Sequence, residues 1–499
     1  MYSLGIDIGS SSIKVSLLEI ETGKVKFSAS SPEKEMLIHA SQAGYAEQDP
    51  STWWQELGTA IRKLFSNGTV NAKNIKCMGI TYQMHGLVMV DNAGQVIRPS
   101  IIWCDSRAVG IGNKMASDLG KEKCLNTLLN LPDNFTASKL KWVKDNEPEN
   151  YSRCSKIMLP GDWIAFKMTG EISTTLTGLS EGTFWDFQKN KPADFLLDYM
   201  EVSHSLIPSL VPVFGMQGKL SNEAASELGL TAGIPITYRS GDQPNNAFSL
   251  NVLEPGEVAT TAGTSGVVYA VTDKFKPEAA QGVNAFAHVN HEPENRRLGV
   301  LMCINGTGIA NSWVKGIAGE TLSGYEEMNR LAEKMPSGSD GISFIPFGNG
   351  AERMLNNAEP GASLHGVNFN IHTKNTIYRA VQEGIAFAFY YGIKKMKRAG
   401  VEVHTLKAGK ANLFQSPIFR KTLATISNSK ILLYNTDGAA GAARGAALGA
   451  GFYKSPKECF ANLTIIEKIE PEESLMTVCK DAYTKWENIV ELQLRNNNL

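Results

Sequence analysis

The sequence predicts an α/β fold divided into two lobes of similar size. The chain has 499 residues, more than the roughly 250–300 at which a single hydrophobic core stops growing. Predicted strands and helices alternate as far as about residue 239, an order typical of layered α/β folds. A strand, a short tip of small residues and a second strand occur near the N-terminus and again near residue 258. This recurrence predicts a duplicated unit, with lobes at 1–245 and 246–499.

The bulk composition argues against several classes of function. Hydrophobic residues make up 42% of the chain and charged residues 20%, as in ordinary globular proteins. Lys and Arg number 49 against 50 Asp and Glu, so no overall field attracts nucleic acid or an anionic membrane surface. No apolar run approaches the roughly 20 residues of a membrane helix, and the first residues lack a signal-peptide pattern. We therefore expect a cytoplasmic protein without nucleic-acid or membrane partners. The sequence also leaves open whether the protein forms a homodimer.

The seven cysteines are scattered, without a C-x-x-C pair, and their number is odd. This usage suits a reducing compartment. Since the spacing offers no paired ligands, buried thiols acting as small hydrophobes are the expected state, rather than zinc ligands. His288 and His291 are interpreted in the same way, as the end of a strand and its turn.

The first hairpin is predicted from residues 4–8 and 13–18, separated by a tip of glycine and three serines at 9–12. Asp7 is the one charged residue of its first strand, and a buried carboxylate is costly without a partner. Magnesium is a suitable partner, because it prefers carboxylate and water oxygens and accompanies nucleotide phosphates. The tip offers backbone N–H groups and hydroxyls to such a phosphate. The alternative is that Asp7 only caps a turn at the strand end.

Two helices are predicted from local signals. Asp49 and Pro50 form an N-cap followed by proline at the first helical position. Apolar residues then recur on one face of that helix, at Trp53, Leu57, Ile61 and Leu64. Residues 438–449 are almost all glycine and alanine, which favours a helix packed closely on a sheet. Its N-terminus is also a candidate for facing a nucleotide.

Asp242 follows a predicted strand at 235–239 and precedes a helical stretch. Open α/β sheets bind their ligands at such carboxyl ends of strands. A carboxylate there could accept the proton of an attacking hydroxyl during phosphoryl transfer. As an alternative, Asp242 is an ordinary helix N-cap.

Two further clusters have side chains suited to a sugar. Gln83 and His85 could hydrogen-bond hydroxyls while Met84 lies against an apolar face. Trp103 and Asp105 add an aromatic ring and a carboxylate. A structural histidine and a core or interface tryptophan are the alternatives.

The common glycine-rich nucleotide motifs do not occur. No G-x-x-x-x-G-K-[ST] segment exists, since Gly409 and Lys410 are followed by Ala411. Gly9 lacks the G-x-G-x-x-G context of a dinucleotide site. A phosphate must therefore be held in another way.

Taken together, the residues resemble the carbohydrate kinase family whose members include xylulokinase, glycerol kinase and gluconokinase. The resemblance spans nearly the whole chain. It rests on residues 5–14, 47–54, 241–242 and 263–266. It implies two actin-like ATPase (ribonuclease H-like) α/β lobes with a cleft between them, the N-terminal lobe binding sugar and the C-terminal lobe binding nucleotide.

Residues 83–86, 101–107 and 135–140 resemble the xylulokinase branch of that family most. This resemblance implies ATP-dependent phosphorylation of a ketopentose, D-xylulose to D-xylulose 5-phosphate, with Asp242 as base. Asp7 and Asp242 are the predicted catalytic and magnesium-binding residues. The predicted substrate contacts are Gln83, Met84, His85, Trp103 and Asp105. The predicted ATP contacts are Gly9, Ser10, Ser11, Lys14, Gly263, Thr264, Ser265, Gly409 and Asn412.

Two other functions stay open at this point. One is a kinase for a different sugar or polyol, such as ribulose, fuculose or gluconate. The other is a non-catalytic, actin-like regulatory protein that binds nucleotide. Asp242 distinguishes the classes, because a binding module needs no base at that strand end.

Overall fold

The computed structural model describes residues 1–66, 68, 70–279, 282–317, 323–350 and 352–496. Within those ranges, every helix is too short or too polar to cross a membrane. The strands are β1 (Tyr2–Ile8), β2 (Ile13–Glu19), β3 (Lys24–Ser31), β4 (Glu47–Gln48), β5 (Ile75–Tyr82), β6 (Val88–Val90), β7 (Ser100–Ile101), β8 (Lys156–Met158), β9 (Ser173–Thr175), β10 (Trp185–Asp186), β11 (Lys191–Pro192), β12 (Ser209–Val211), β13 (Ile236–Gly241), β14 (Glu257–Ala262), β15 (Gly266–Thr272), β16 (Asn284–Ala287), β17 (Leu298–Ile304), β18 (Ser343–Phe347), β19 (Gly361–His365), β20 (Thr405–Gly409), β21 (Lys430–Tyr434) and β22 (Ile465–Ile469).

The helices alternate with these strands, as the sequence predicts for an α/β fold. They are α1 (Pro50–Phe65), α2 (Val109–Leu119), α3 (Lys121–Leu128), α4 (Thr136–Asn146), α5 (Pro148–Arg153), α6 (Pro160–Thr169), α7 (Leu176–Glu181), α8 (Asp194–Met200), α9 (Asn222–Leu228), α10 (Asp242–Ser249), α11 (Gly308–Ile317), α12 (Tyr325–Ala332), α13 (Lys374–Arg398), α14 (Pro417–Ser427), α15 (Gly438–Gly449), α16 (Pro456–Cys459) and α17 (Met476–Asn496).

The chain divides into two units, and it passes between them several times. The first unit contains Met1–Asn251, Phe286–Arg297 and Thr436–Leu463. The second contains Val252–Ala285, Leu298–Asn435 and Thr464–Leu499. The sequence predicts a single boundary near residue 245, and the division differs from it because α15 and α16 are part of the first unit.

The first unit is built on a five-stranded sheet in the order β13-β5-β1-β2-β3. β1 pairs antiparallel with β2 and parallel with β5, which in turn pairs parallel with β13. The predicted hairpin is confirmed, with β1 beginning two residues earlier than expected. The predicted helix at Pro50 is also confirmed: Asp49 accepts a hydrogen bond from the Ser51 N–H at 2.8 Å and the apolar face joins the core under the sheet.

The small-residue helix α15 packs directly on this first sheet. A Cβ on Gly5 of β1 would overlap the carbonyl oxygen of Ala439, and one on Gly79 of β5 would overlap that of Ala442. Because these strand residues have no side chain, the backbones of helix and strand lie so close together that a methyl group would not fit between them. The predicted close packing is therefore confirmed.

The second unit contains a seven-stranded sheet in the order β16-β17-β15-β14-β20-β21-β22. Its central strands, β21-β20-β14-β15-β17, repeat the order of the first sheet. The directions agree as well, since β14 pairs antiparallel with β15 and parallel with β20, and β20 pairs parallel with β21. The predicted duplication is confirmed.

Four of the seven cysteines are buried, as expected of small hydrophobic side chains. They are Cys77, Cys124, Cys459 and Cys479. β16 ends at Ala287, and the His291 N–H donates to the His288 carbonyl oxygen at 2.9 Å. These two histidines therefore form the predicted turn after a strand.

Candidate active site

Asp7 and Asp242 lie at one edge of the first sheet. Asp7 is the last residue but one of β1, and Asp242 begins α10 directly after β13. β5 lies between these strands and runs parallel to both, so their carboxyl ends share an edge, where open α/β sheets place ligands. The predicted strand-to-helix setting of Asp242 is confirmed.

The pKa values of both carboxyl groups are raised. Burial is the largest cause for Asp242, and it raises the pKa to about 6 although hydrogen bonds from Gln243 lower it. Burial again comes first for Asp7, followed by the negative charges of Asp242 and Asp437, while Lys14 opposes them; the pKa is about 7. This edge of the sheet therefore carries an excess of negative charge that a bound cation would relieve.

A magnesium ion at this edge would need ligands besides the protein's carboxylates. Among the residues described, no three or more His, Cys, Asp or Glu side chains are arranged to hold an ion. Magnesium commonly takes one or two carboxylates and completes its shell with water and substrate phosphates. Asp7 and Asp242 meet that requirement, and their part in binding the ion stays a prediction.

Asp437 is a third carboxylate at this edge, which sequence reasoning missed. It is the N-cap of α15, where its Oδ1 accepts the Ala440 N–H at 2.8 Å. A Cβ on the next residue, Gly438, would overlap the carboxylate of Asp7. The signal was available, because Asp437 precedes a helix and follows β21, the same strand, acid and helix order as at Asp242.

Of the predicted sugar-binding residues, Met84 lies against Gly241, the residue directly before Asp242. A Cβ on Gly241 would be 2.6 Å from Met84 Cγ, so the Met84 side chain packs directly against that glycine. The His85 ring lies among aromatic rings, with centroids 4.8 Å from Phe135 and 5.3 Å from Phe286.

Gln83 is directed elsewhere, since its Nε2 donates to Gln48 Oε1 at 3.3 Å. The structure therefore brings Met84 to the residue before Asp242 and engages Gln83 in a contact with Gln48.

Trp103 and Asp105 have different surroundings. Trp103 is 51% exposed, and its Nε1 donates to Ser10 Oγ at 3.2 Å, which places an aromatic side chain at the tip of the first hairpin. Asp105 is fully buried. Its carboxylate accepts Arg107 Nη2 at 2.7 Å and the Ala46 N–H at 2.6 Å. These contacts indicate that Asp105 holds Arg107 and the chain at Ala46 in place. Its binding to a sugar stays a prediction.

The hairpin tip itself is held by neighbouring chain. The Gly9 N–H donates to the Ser12 carbonyl oxygen at 3.2 Å, and the Ser11 carbonyl oxygen accepts the Met36 N–H at 2.9 Å. Gln48 Nε2 donates to the Ser10 carbonyl oxygen at 2.7 Å. Lys14 is exposed and stands opposite Asp7 in the register of β1 and β2. The tip is thus fixed in shape while its surface stays open.

The second unit contains a pocket of about 400 Å³ at the tip of its own hairpin, a volume within the range of small-molecule sites. At its base the carbonyl oxygens of Gly263 and Thr264 accept the N–H groups of Gly308 and Ile309, at 2.8 and 3.1 Å. The lining residues are Ala262, Gly263, Thr264, Gly308, Ile309, Asn311, Ser312, Tyr325, Asn329, Asn412, Leu413, Gln415 and Ser416.

None of these lining side chains is charged. Three predicted ATP contacts, Gly263, Thr264 and Asn412, are among them, whereas Ser265 and Gly409 are not. Sequence reasoning missed the polar residues that α11 and α12 contribute, because no local motif marks them.

One wall of this pocket is fixed by a chain of hydrogen bonds. Gln382 Nε2 donates to Asn329 Oδ1 at 2.8 Å, and Ser416 Oγ donates to Gln382 Oε1 at 2.6 Å. Gln382 is fully buried on α13, so it ties two lining residues to the core. A neutral, polar and pre-shaped pocket suits an uncharged heteroaromatic ring better than an ion.

Comparison with known proteins agrees with this architecture. The N-terminal domain of the FGGY family of carbohydrate kinases matches residues 2–249, and the C-terminal domain of that family matches residues 258–453. The xylulose kinase of Escherichia coli (strain K12) is 30% identical over 468 residues, which cover 93% of this chain and 92% of that protein. The xylulose kinase of Bacillus subtilis (strain 168) is 28% identical over 460 residues, covering 92% and 90%.

A solved structure extends the likeness to three dimensions. The xyloylose kinase from Brucella ovis is 27% identical and superposes with a TM-score of 0.87, covering 98% of both chains. The predicted α/β fold of the actin-like ATPase type is confirmed. With its two halves matched by the two domains of one family, the chain belongs to the FGGY family of carbohydrate kinases.

Proposed function

We propose that this carbohydrate kinase phosphorylates D-xylulose to D-xylulose 5-phosphate, with Asp242 as the general base. The observation that carries the proposal is the position of Asp242, at a strand's carboxyl end and directly after Gly241, against which Met84 packs, with a pKa raised to about 6. A base works best when its pKa lies near the working pH, because it is then largely ionised and still accepts a proton readily.

Positioning should supply most of the remaining rate, since phosphoryl transfer requires little covalent chemistry from the protein. As a carbohydrate kinase the protein uses ATP. In the proposal, the neutral pocket of the second unit takes the adenosine, and the tips at Gly9 to Ser11 and at Gly263 to Ser265 bind phosphate through backbone N–H groups. Magnesium, held by Asp7 and Asp242, would neutralise charge on the transferred phosphoryl group.

The choice of sugar rests on the side chains near the base. His85 can hydrogen-bond a hydroxyl, Met84 can cover an apolar face, and the exposed Trp103 ring can stack on a sugar. The curated relatives described above are named xylulose kinases, which supports D-xylulose over the other acceptors.

The test is ADP release by the purified protein with ATP and magnesium, comparing D-xylulose with D-ribulose, L-ribulose, L-fuculose, glycerol and gluconate. We expect the highest kcat/KM for D-xylulose. Preference for another acceptor would keep the reaction class and overturn the substrate. Sugar-independent nucleotide binding without turnover would favour a regulatory protein instead.

The proposal also includes a cytoplasmic location, which suits the free thiols, and a homodimer. Light scattering on the purified chain measures the second point directly. A mass equal to one chain of 54.3 kDa would contradict it.

A further inference from the structure

Glu181 has no part in the reaction as proposed so far, although it lies against the candidate sugar site. It is the last residue of α7 and is 1% exposed. A Cβ on Gly241, directly before the proposed base, would overlap Glu181 Oε2 and meet Met84. A buried carboxyl group in this position needs a physical reason.

Glu181 makes two contacts with His85. Its side-chain Oε1 accepts the backbone N–H of His85 at 3.2 Å. Its own carbonyl oxygen lies 2.9 Å from His85 Nδ1. A carbonyl oxygen can only accept, so Nδ1 is the donor in this pair. In the neutral ring, Nε2 then carries no proton and is an acceptor for a hydroxyl.

The backbone of His85 requires such support. Its φ is 62°, in the left-handed region that residues with a side chain rarely adopt. The carbonyl oxygen of His85 accepts Lys139 Nζ at 2.8 Å, and the same amine donates to the Ile102 carbonyl oxygen at 2.9 Å. The N–H and C=O of one strained residue are thus held by side chains from two different helices, α7 and α4. Strained residues of this kind persist only where their surroundings fix them.

We propose that Glu181 is a positioning residue for the kinase reaction, one that holds His85 so that its Nε2 accepts a hydrogen bond from a hydroxyl of the sugar. The inference rests on the proposed function, because it needs a sugar beside His85. It adds a residue that acts on the substrate only through another side chain.

The charge of Glu181 is not needed for this role. Among the described residues, none makes a hydrogen bond to its Oε2, while Oε1 carries the contact with His85. Burial, followed by the nearby charges of Asp242 and Asp162, raises the pKa of Glu181 well above its usual range, although the His85 N–H opposes this. Asp162 itself is paired with Arg239 at 3.0 Å. A neutral carboxyl group keeps an acceptor at Oε1, and so does a glutamine amide.

The first experiment therefore compares Glu181→Gln with Glu181→Met, which has a similar shape but no acceptor. We expect Glu181→Gln to leave the sugar KM within about twofold of the wild type. Glu181→Met should raise the sugar KM by about tenfold or more without changing the KM for ATP, because the part-buried His85 N–H loses the acceptor that holds it. Glu181→Ala repeats the test if the methionine variant does not fold.

Glu383→Gln is the matched control. Glu383 is also a buried carboxylate, bound by Arg379 at 2.7 Å and Ser339 at 2.7 Å in the second unit. This variant should lower Tm and leave the sugar KM unchanged. An equal rise in sugar KM for Glu383→Gln would mean that general destabilisation explains the Glu181 result, and it would overturn the inference.

Two readouts separate positioning from a purely structural role. In the His85→Ala background, adding Glu181→Met should not raise the sugar KM further, since the residue through which Glu181 acts is gone; a full additional effect would contradict the inference. Nitrogen-15 NMR of the histidine rings, with His85→Ala to assign the signal, should show the Nδ1–H form of His85 in the wild type. The Nδ1 signal should shift in Glu181→Met, because His85 moves relative to the Glu181 carbonyl oxygen once its N–H is released. The NMR result tests the contact even if the wild type phosphorylates no sugar, an outcome that would overturn the proposed function alone.

Discussion

The first sheet and the five central strands of the second share one strand order and direction, yet the edges at the carboxyl ends of their parallel strands differ in charge. Asp7 is the last residue but one of β1, and the corresponding residue of β14 is Thr261. The first edge gathers Asp7, Asp242 and Asp437, whereas the pocket at the second edge has no charged lining side chain. The duplicated fold thus supplies two sheets with similar edges, and the side chains at a few positions decide which chemistry each edge can perform.

Asp242→Asn gives the largest effect that this comparison predicts. If Asp242 is the base, as proposed, kcat should fall by about a thousandfold or more while the sugar KM changes little. Steady-state kinetics with saturating ATP and magnesium measure both. Asp186→Asn is the control, since Asp186 is a buried acid of the same unit that accepts the Gln188 N–H at 2.9 Å. Near-normal kcat for Asp242→Asn would end the assignment of the base.

Gly308→Ala tests the second edge. The added methyl group would overlap the Gly263 carbonyl oxygen at the base of the pocket, so we expect the KM for ATP to rise by about tenfold, with the sugar KM unchanged. Gly316→Ala, on the same helix, is the control, because open space surrounds a Cβ there. If the sugar KM rose instead, the division of labour between the two edges would be wrong.

The pH dependence of the rate tests the charge on the first edge. With a pKa of about 6, Asp242 is protonated in acid and cannot accept a proton, so kcat should fall by about tenfold between pH 7 and pH 5. The titration of Asp7 is coupled to that of Asp242, so the acid limb is measured at one fixed magnesium concentration and belongs to the pair of carboxyl groups. The residual rate of Asp242→Asn should lack this acid limb, and a pH-independent wild-type rate would contradict the prediction.

The smallest predicted effect is on thermal stability: Asp7→Asn should stabilise the protein, although Asp7 is proposed to serve the reaction. The folded protein retains the Asp7 proton up to about pH 7, against an ordinary value of 3.8, so this group lowers stability as the pH rises between these values. At pH 8, without magnesium or ATP, Asp7→Asn should raise Tm by about 2–4 °C, and at pH 4 it should not. Thr261→Val, at the equivalent position of the second sheet, should show no such difference between the two pH values.

Local signals in the sequence predict the parts of the fold that turn chemistry and caps determine. Both hairpins, the N-cap at Asp49 and the strand-to-helix step at Asp242 form where expected. Contacts that depend on long-range packing could not be found in this way. The strand, acid and helix order around Asp437 is visible in the sequence, but its place at the first edge is not, because it depends on the packing of α15 against Gly5 and Gly79.

The candidate site was predictable to a similar degree. The sequence predicts Met84 as a sugar contact, and the structure places it against Gly241, the residue before Asp242. The residue type of Asp105 and its place near Trp103 predict a sugar contact, and only the structure reveals its buried pairing with Arg107. Glu181 carried no signal at all, since its contacts with His85 join residues 96 positions apart.

The discontinuous first unit has a consequence for the order of events at the ribosome. About 185 residues of mostly second-unit chain separate Asn251 from Thr436, and translation at roughly 5–20 residues per second needs about 10–40 s to make them. During that interval the nascent first sheet lacks α15, and Asp7 lacks its neighbours Asp437 and Gly438. Most of the second unit is thus synthesised before the first unit has its helix α15. A stalled chain ending before residue 436 would therefore expose the face of β1 and β5 that contains Gly5 and Gly79.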